Sequence, residues 1–428
     1  MAKPKVIVVG GGFSGCAAAV QAAKAGADVQ MFERTDMLSG AGLRAARMNY
    51  NGKYVAAEEG KALGFPEVFE ALEGIVLHRS NIVDEENVYI YNIAKVDWAM
   101  RQTLQKAGIK PQMLTRVTDV ENNDGTITAV RLENKDKVEG DVFLDCTGSF
   151  GGVDRCTRYG KGCVMCIHRC PVFGNRISIA VKAGARELPH YRAPGMPGRL
   201  SPSITVFKES LSPELQRRIE KEGAFSIPLP QELIDHEKEA KNFPGIRGKH
   251  QIENLNLVNI GLVVKCPAIG YFKLEDWRKV PGFENVMVEH PMGGATFNFI
   301  NHTATSPRDN NMQVRGFTNL FEGGEKSGQG GIPECIATGA LAGTNAVRAA
   351  LGKELIILPA TTALGDFIAM VGEAIDTEGG LNTGHSMGHL EGFERMKKLG
   401  LYSVEPGPIQ ARIEKVGLTG ILGERLVP

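Results

Sequence analysis

The sequence predicts an α/β fold built on a doubly wound parallel-sheet domain, and three observations carry that prediction. An apolar run, Lys5–Val9, enters Gly10-Gly11-Gly12-Phe13-Ser14-Gly15 and then an Ala-rich helical stretch. A second strand, Val29–Phe32, ends on the acid Glu33. Far down the chain, Asn319–Glu322 is a further strand that runs into Gly323-Gly324 and a long stretch of small residues.

Each part of the opening unit has a physical task. Gly10 permits the tight turn, Gly12 lets the backbone approach a pyrophosphate, and Gly15 lets the helix pack close to the strand. The helix N-terminus offers free N–H groups and positive partial charge to phosphates. Glu33 lies about twenty residues beyond the first glycine, where a carboxylate accepts ribose hydroxyls. Strand, helix, second strand and acid occur in order, so the unit reads as a Rossmann-like, FAD/NAD(P)-binding domain rather than a chance glycine motif. Arg34 follows the acid, and a backbone contact is expected near Val117.

Residues 1–150 are assigned to the N-terminal part of this domain. Residues 36–60 are small and read as a flexible cofactor lining. Residues 94–110 read as a helix stopped by Ala107-Gly108. Short alternating segments follow, with the turn signal Asp124-Gly125, and read as a β-meander ending in Asp141–Gly148. The final Thr147-Gly148 reads as a second phosphate-side turn. Residues 151–310 read as an inserted mixed α+β substrate domain, with a helix at 213–223 and strands at 204–207 and 257–264. Residues 311–352 return to the nucleotide domain, and 353–428 form a helical tail.

The returning segment contains Gly328-Gln329-Gly330-Gly331-Ile332-Pro333 and then a helix with small residues at 337, 339, 340, 342, 343 and 346. Pro333 fits the first turn of that helix. Small residues allow it to lie almost against sheet or cofactor. Its N-terminus could face an isoalloxazine ring and favour negative charge near N1 and O2. A two-part site of this kind favours FAD over NAD; the bland alternative is a Gly-rich connector feeding a tightly packed helix. Gly324, Glu325, Gly331 and Ile332 are the expected cofactor contacts here, with Gly10, Gly12, Gly15, Glu33, Arg34, Arg44, Val117 and Gly148 elsewhere.

Length and composition fit this reading. The 428 residues suffice for two or three domains, and 43% are apolar. Lys+Arg and Asp+Glu balance at 49 each, so no global basic excess argues for nucleic acid. The first strand begins at Lys5, so no signal peptide is expected, and no apolar run approaches a membrane span. A cytoplasmic location is expected, with cysteines as thiols, metal ligands or redox groups rather than disulfides.

Five of the eight cysteines lie between 146 and 170. Cys163, Cys166 and Cys170, followed by Pro171, match the end of a bacterial ferredoxin motif. Gly160 stands at the first ligand position, so Cys156 or Cys266 would complete an iron–sulfur site. Redox or nucleophilic thiols are the competing reading, favoured by Arg158, Lys161, His168 and Arg169 nearby. Small half-buried hydrophobes are the bland one. His385 and His389 have helical metal spacing, yet glycines around them and no third ligand favour a turn. Cys335 sits at the ring-facing helix start and could touch the ring. Arg44 and Arg47 could reach FAD phosphates or an anionic substrate, or be solvated.

The Gly10–Gly15 motif, the 142–148 strand and the 319–348 segment resemble glutathione-reductase-type FAD proteins. The GidA/TrmFO group of tRNA-modifying flavoenzymes is the nearest resemblance. It rests on Ala295–His302 with Thr305-Ser306-Pro307, on Gly331–Ala346, and on Pro359-Ala360-Thr361-Thr362-Ala363-Leu364-Gly365. The resemblance implies FAD, a role for Glu325 near the ribityl or phosphate region, and tRNA with a folate co-substrate. The chain departs from it: Ser39–Ala46 has no cysteine, and no Phe-Glu-x-Cys-x-Pro stretch occurs. The expected function is therefore an FAD-dependent oxidoreductase that passes hydride or electrons to a small-molecule substrate or electron-transfer partner, with NAD(P)H as a possible reductant. A folate-linked tRNA methyltransferase-like enzyme and a non-enzymatic flavin or iron–sulfur scaffold are the alternatives.

Overall fold

In a computed structural model of the chain, the described residues are 2–49, 52–82, 85–148, 174, 176–193, 196–197, 199–201, 203–234, 252–267, 272–289, 299–301, 304–381, 385–388 and 390–428. The opening unit is β1 (Lys5–Val9), α1 (Phe13–Lys24) and β2 (Asp28–Phe32). Helices α2 (Gly42–Ala45), α3 (Gly52–Leu63) and α4 (Glu67–Glu73) lead to a hairpin of β3 (Val76–Ile82) and β4 (Glu85–Tyr91). Helix α5 (Val96–Lys106) precedes β5 (Val117–Asn123), β6 (Thr126–Leu132), β7 (Lys137–Glu139) and β8 (Val142–Asp145). The next part holds β9 (Ser203–Val206), α6 (Pro213–Glu222), β10 (Ala224–Pro228), β11 (Asn254–Asn259) and β12 (Val264–Pro267). The chain ends with β13 (Leu320–Glu322), α7 (Ile332–Ala350), α8 (Ala363–Asp376), α9 (Leu390–Lys398) and α10 (Pro406–Lys415).

The central sheet is parallel, in the order β13-β8-β1-β2. Its strands are near-continuous apolar runs because helices and the meander cover both faces. The fold class is the predicted one. The meander is β5-β6-β7, turned at Asp124 and Gly125, both with positive φ. It packs Val117, Ile127 and Val130 onto Ile7, Phe143 and Leu320 of the sheet. Its third strand is Lys137–Glu139, whereas Val142–Asp145 pairs with β1 in the parallel sheet. Alternation alone did not separate these two neighbours.

Two other expectations change. Residues 36–60 are not all loop, since α3 begins at Gly52 and its residues 52–60 are buried. The expected strand over 257–264 is two strands, β11 and β12, separated by a turn at Gly261 with φ +104°. The sheet β9-β12-β11-β10 is antiparallel. One face sends Ile204, Val206, Leu255, Leu257, Val264 and Cys266 into a core shared with Leu215 and Ile219 of α6. Helix α6 forms there because Ser212 caps it, Pro213 opens it and its apolar residues fall on one side. Among the described residues no helix is long and apolar enough to cross a membrane.

Candidate functional site

The glycine turn ends β1 at the sheet's carboxyl edge. Gly10 has φ +106°, and a Cβ there would lie 2.3 Å from the Cys146 carbonyl oxygen. A Cβ on Gly15 would lie 1.9 Å from the Gly10 oxygen, so strand and helix touch backbone to backbone. Gly12 differs: a Cβ there would meet nothing within 4 Å. It is the N-cap of α1 and supplies no side-chain cap, so the first N–H groups of the helix point outward without a side-chain acceptor from the cap. That open cradle is what a diphosphate requires.

Glu33 is held at the edge of the cradle. Its Oε2 accepts from the Gly11 N–H at 2.6 Å and its Oε1 from the Thr35 N–H at 2.8 Å. The Thr115 N–H donates to the Glu33 carbonyl at 2.9 Å, which brings the start of β5 and buried Val117 to the same end. Arg34 donates to the Gly174 carbonyl. The segment after Glu33 folds over the turn, with the Ser39 N–H donating to Gly11 at 2.7 Å. Arg44 lies in α2 directly after it.

Gly148, with φ +73°, ends β8 and also faces open space. Its carbonyl accepts from Arg176 at 2.6 Å. Arg176 and Lys326 both pair with Glu187, at 2.9 and 2.8 Å. Burial pushes the Glu187 carboxyl upward, but Arg176 and Lys326 outweigh it and hold the group at about 2. This buried ion triad ties the Gly148 turn to the returning segment. Sequence reasoning missed it because no local pattern links its three members.

In the returning segment the Gly324 N–H donates to Thr338 Oγ1 at 2.9 Å. Glu325 is half-buried beside it. Gly331 is the N-cap of α7 and again supplies no side-chain cap, with Ile332 as the first helical residue. Glu334 Oε1 accepts from Ser386 Oγ at 2.9 Å and the Met387 N–H at 2.8 Å. The small residues of α7 lie against α1 and against the turn that leaves β13: a Cβ on Gly339 would be 2.2 Å from the Ser14 carbonyl oxygen, and one on Gly323 would be 2.8 Å from the Gly339 Cα.

Buried at the sheet edge, Glu322 lies in register with Asp145 and beside Ser306. Burial pushes its carboxyl up to about 8; Asp145 adds to this, while Lys326 and Arg308 oppose it.

Cys156, Cys163, Cys166 and Cys170 lie outside the described residues, as does His389. Cys266 is among the described residues. It is fully buried in the apolar core under β12, and burial pushes its thiol upward. Cys146 is buried too, its thiol pushed up to about 12 by burial despite a contact from Ser14 Oγ at 3.7 Å. Burial also raises the Cys335 thiol, which donates to the Gln329 carbonyl at 3.5 Å. His385 is buried and bonds the Gly380 carbonyl at 3.0 Å, bracing the loop before α9. Among the described residues no group of three or more His, Cys, Asp and Glu could hold a metal.

The fold and the glycine cradle define the class: this is an FAD-binding oxidoreductase fold. A family model described as "FAD dependent oxidoreductase" matches residues 5–150. The chain is GidA/TrmFO-like within that class, and a second model, "Glucose inhibited division protein A", matches residues 272–354. The methylenetetrahydrofolate–tRNA-(uracil-5-)-methyltransferase TrmFO of Lysinibacillus sphaericus is 38% identical over 97 residues, 22% of this chain and 21% of that protein. The tRNA uridine 5-carboxymethylaminomethyl modification enzyme MnmG of Chlorobaculum tepidum is 37% identical over 81 residues, 19% of this chain and 13% of that protein. The matches thus span about a fifth or less of those relatives' own length. The solved structure of Aquifex aeolicus GidA has a TM-score of 0.64 at 16% identity, covering 96% of this chain and 76% of that one.

Proposed function

We propose that the chain is an FAD-dependent oxidoreductase. The observation that carries the reading is Gly12, an uncapped helix head with open space where a side chain would stand. In this reading Gly10, Gly12 and Gly15 shape the diphosphate cradle, Glu33 takes the ribose, and Arg34, Arg44 and Val117 border the adenine side. Gly148, Gly324, Glu325, Gly331 and Ile332 border the ring side. Bound flavin would supply hydride or electron transfer to a small-molecule substrate or an electron-transfer partner. The protein binds, orients and excludes water. NAD(P)H or a folate would serve as co-substrate.

Cys163, Cys166 and Cys170, with Cys156, are proposed as redox thiols or iron–sulfur ligands that exchange electrons with the cofactor. Iron and sulfide assay of anaerobically purified protein separates these options, and unchanged turnover in both Cys163→Ser and Cys166→Ser would remove the cluster from the reaction. For the flavin itself, purified protein should retain FAD through gel filtration and show flavin absorption. Gly12→Val should lose FAD while keeping its secondary structure. Colourless protein that refuses added FAD would overturn the proposal.

A second reading is favoured by the relatives' names: a flavin-dependent enzyme acting on tRNA, folate-linked as in TrmFO. It expects tight tRNA binding that weakens steeply with salt. Absence of binding at low salt removes it.

A further inference from the structure

The four strands of the parallel sheet end side by side, and one row of residues crosses their carboxyl edge. Glu322, Asp145, Val9 and Phe32 are in register along it. Parallel strands covered on both faces normally carry apolar residues in such a row. Half of this one is acidic, and both acids are fully buried. Residues in register on neighbouring parallel strands point to the same face, so the two carboxyl groups are neighbours. Ligands of open parallel sheets bind at this edge. Gly323 and Gly324 follow Glu322 directly.

The two acids have unlike surroundings. Asp145 Oδ1 accepts from the Thr147 N–H at 3.2 Å and from Thr147 Oγ1 at 2.6 Å. Its Oδ2 accepts from Ser178 Oγ at 2.7 Å and from the Ala180 N–H at 3.0 Å. Four donors favour an ionised carboxylate. Glu322 has buried Ser306 beside it, and the two cations that face it, Lys326 and Arg308, are bonded elsewhere. Lys326 pairs with Glu187 at 2.8 Å. Arg308 donates to the Ser327, Asp309 and Ile368 carbonyls at 3.1, 3.3 and 3.3 Å, and to Asn310 Oδ1 at 3.3 Å. The Cys146 thiol, raised by its own burial, is a further titratable neighbour. Two adjacent buried carboxyl groups do not both ionise readily, and the one with fewer donors keeps the proton. Burial first, with Asp145 adding to it, holds Glu322 at about 8 against Lys326 and Arg308.

The pair has a polar connection to water. Glu187 lines a cleft of about 650 Å³ together with Arg186, Tyr191, Arg315 and Asp376. Lys326 is bonded to Glu187 at that cleft and faces Glu322 on the inner side. Arg176, the third member of the triad, holds the Gly148 carbonyl at 2.6 Å. The groups that lead from the cleft to Glu322 are thus the ones that brace the turns at Gly148 and Gly324.

We propose that Glu322 is a proton-carrying residue of the flavin site, which takes a proton from water by way of Glu187 and Lys326 when bound cofactor is reduced and returns it on reoxidation. The electrons come from an external donor, the proton comes from water, and Glu322 changes only between carboxylate and carboxylic acid. Negative charge gained on the ring side strengthens the hold of Glu322 on its proton. The held proton favours that charge in return, because linked equilibria are reciprocal. Glu322 therefore tunes the potential without touching the reacting atoms. The proposal rests on the flavin reading.

Two measurements on the full chain test it. The first is infrared difference spectroscopy of FAD-free protein, parent minus Glu322→Gln. At about pH 6.5, where ordinary carboxyl groups are ionised, a protonated-carboxyl band that shifts in heavy water is expected in the parent and absent from the variant. The second is potentiometric titration of FAD-loaded protein with dithionite and mediators on either side of pH 8. Below that value Glu322 holds its proton in both redox states, so reduction adds none there. Above it, the parent should take up as much as about one more proton per two electrons than it does below. Glu322→Gln should show no such steepening. Glu322→Leu replaces it if the Gln variant does not fold, and the parent's own curve decides if neither does. A parent without the infrared band, or with a pH dependence that does not steepen, overturns the proposal. Steepening that survives in a folded variant overturns it too. A chain that refuses FAD sinks the flavin reading and this coupling together, whereas a chain that binds FAD without steepening sinks the coupling alone.

Discussion

Gly339 of α7 lies directly on the backbone of Ser14 in α1: a Cβ on the glycine would be 2.2 Å from the Ser14 carbonyl oxygen and 2.8 Å from its Cα. Gly343 repeats the relationship one turn later against Ala18, again at 2.2 Å from the carbonyl oxygen. The two helices that head the candidate flavin site are thereby locked to each other. Gly339→Ala should push them apart and destabilise the protein by about 1–3 kcal/mol, the usual cost of overpacking. Urea denaturation followed by far-UV circular dichroism checks this, and an unchanged midpoint would contradict the packing.

The glycines of the first turn should not respond alike. Gly15→Ala meets the Gly10 oxygen at 1.9 Å and should cost several kcal/mol, of the order seen when a side chain is forced into backbone. Gly12→Ala meets open space at an ordinary φ of −68° and should alter stability by no more than about 0.5 kcal/mol. Thermal melting of the two FAD-free variants compares them directly.

Glu59 is fully buried, and its two oxygens accept the Ala363 and Leu364 N–H groups at 2.8 Å each. Arg412, from α10, pairs with it at 2.8 Å. The carboxylate caps α8 and anchors the tail to α3 at once. Glu59→Ala leaves the Arg412 charge and two amides unmet, and should cost about 3–5 kcal/mol. Limited proteolysis should then cut first within the tail.

Acid should act through Glu187. Its folded-state carboxyl lies at about 2, below the ordinary 4.5, because Arg176 and Lys326 outweigh burial. A depressed carboxyl contributes stability above its unfolded value and loses it as pH falls toward the folded one. The contribution is about 3 kcal/mol above pH 5, declining between roughly pH 4.5 and 2. Glu187→Gln should flatten that limb of the stability profile measured by urea titration.

Glu322 should act with the opposite sign. Its carboxyl is pushed up to about 8, so the folded state keeps a proton that the unfolded state releases above about 4.5. Stability is then lost as pH rises from 4.5 to 8. Glu322→Gln, which stays neutral, should remove the slope across that window. A variant with the same slope as the parent would show that another group titrates there.

Local chemistry made much of this molecule legible. Turn, strand and helix signals lie within a few residues of each other, so Gly10–Gly15, the acid at Glu33, the Asp124-Gly125 turn and the helix starting at Pro213 could be read directly from the chain. The resemblance to the GidA/TrmFO group agreed with that fold class and with FAD, and added tRNA and a folate as alternatives. Neighbouring extended segments were harder: β7 and β8 read as one meander because alternation does not say which partner a strand will choose.

The sequence by itself determined the nucleotide-type unit, the α/β class and the presence of a returning segment, because backbone geometry and capping are set by adjacent residues. Tertiary structure alone decided which charges meet. Lys265 reaches Ala45 across 220 residues and Glu59 reaches Arg412 across 353. It also turned Cys266 into an apolar core. The physical reason is that a charge's partner, and therefore its protonation and its use, depends on burial and on neighbours brought together only when distant parts of the chain pack.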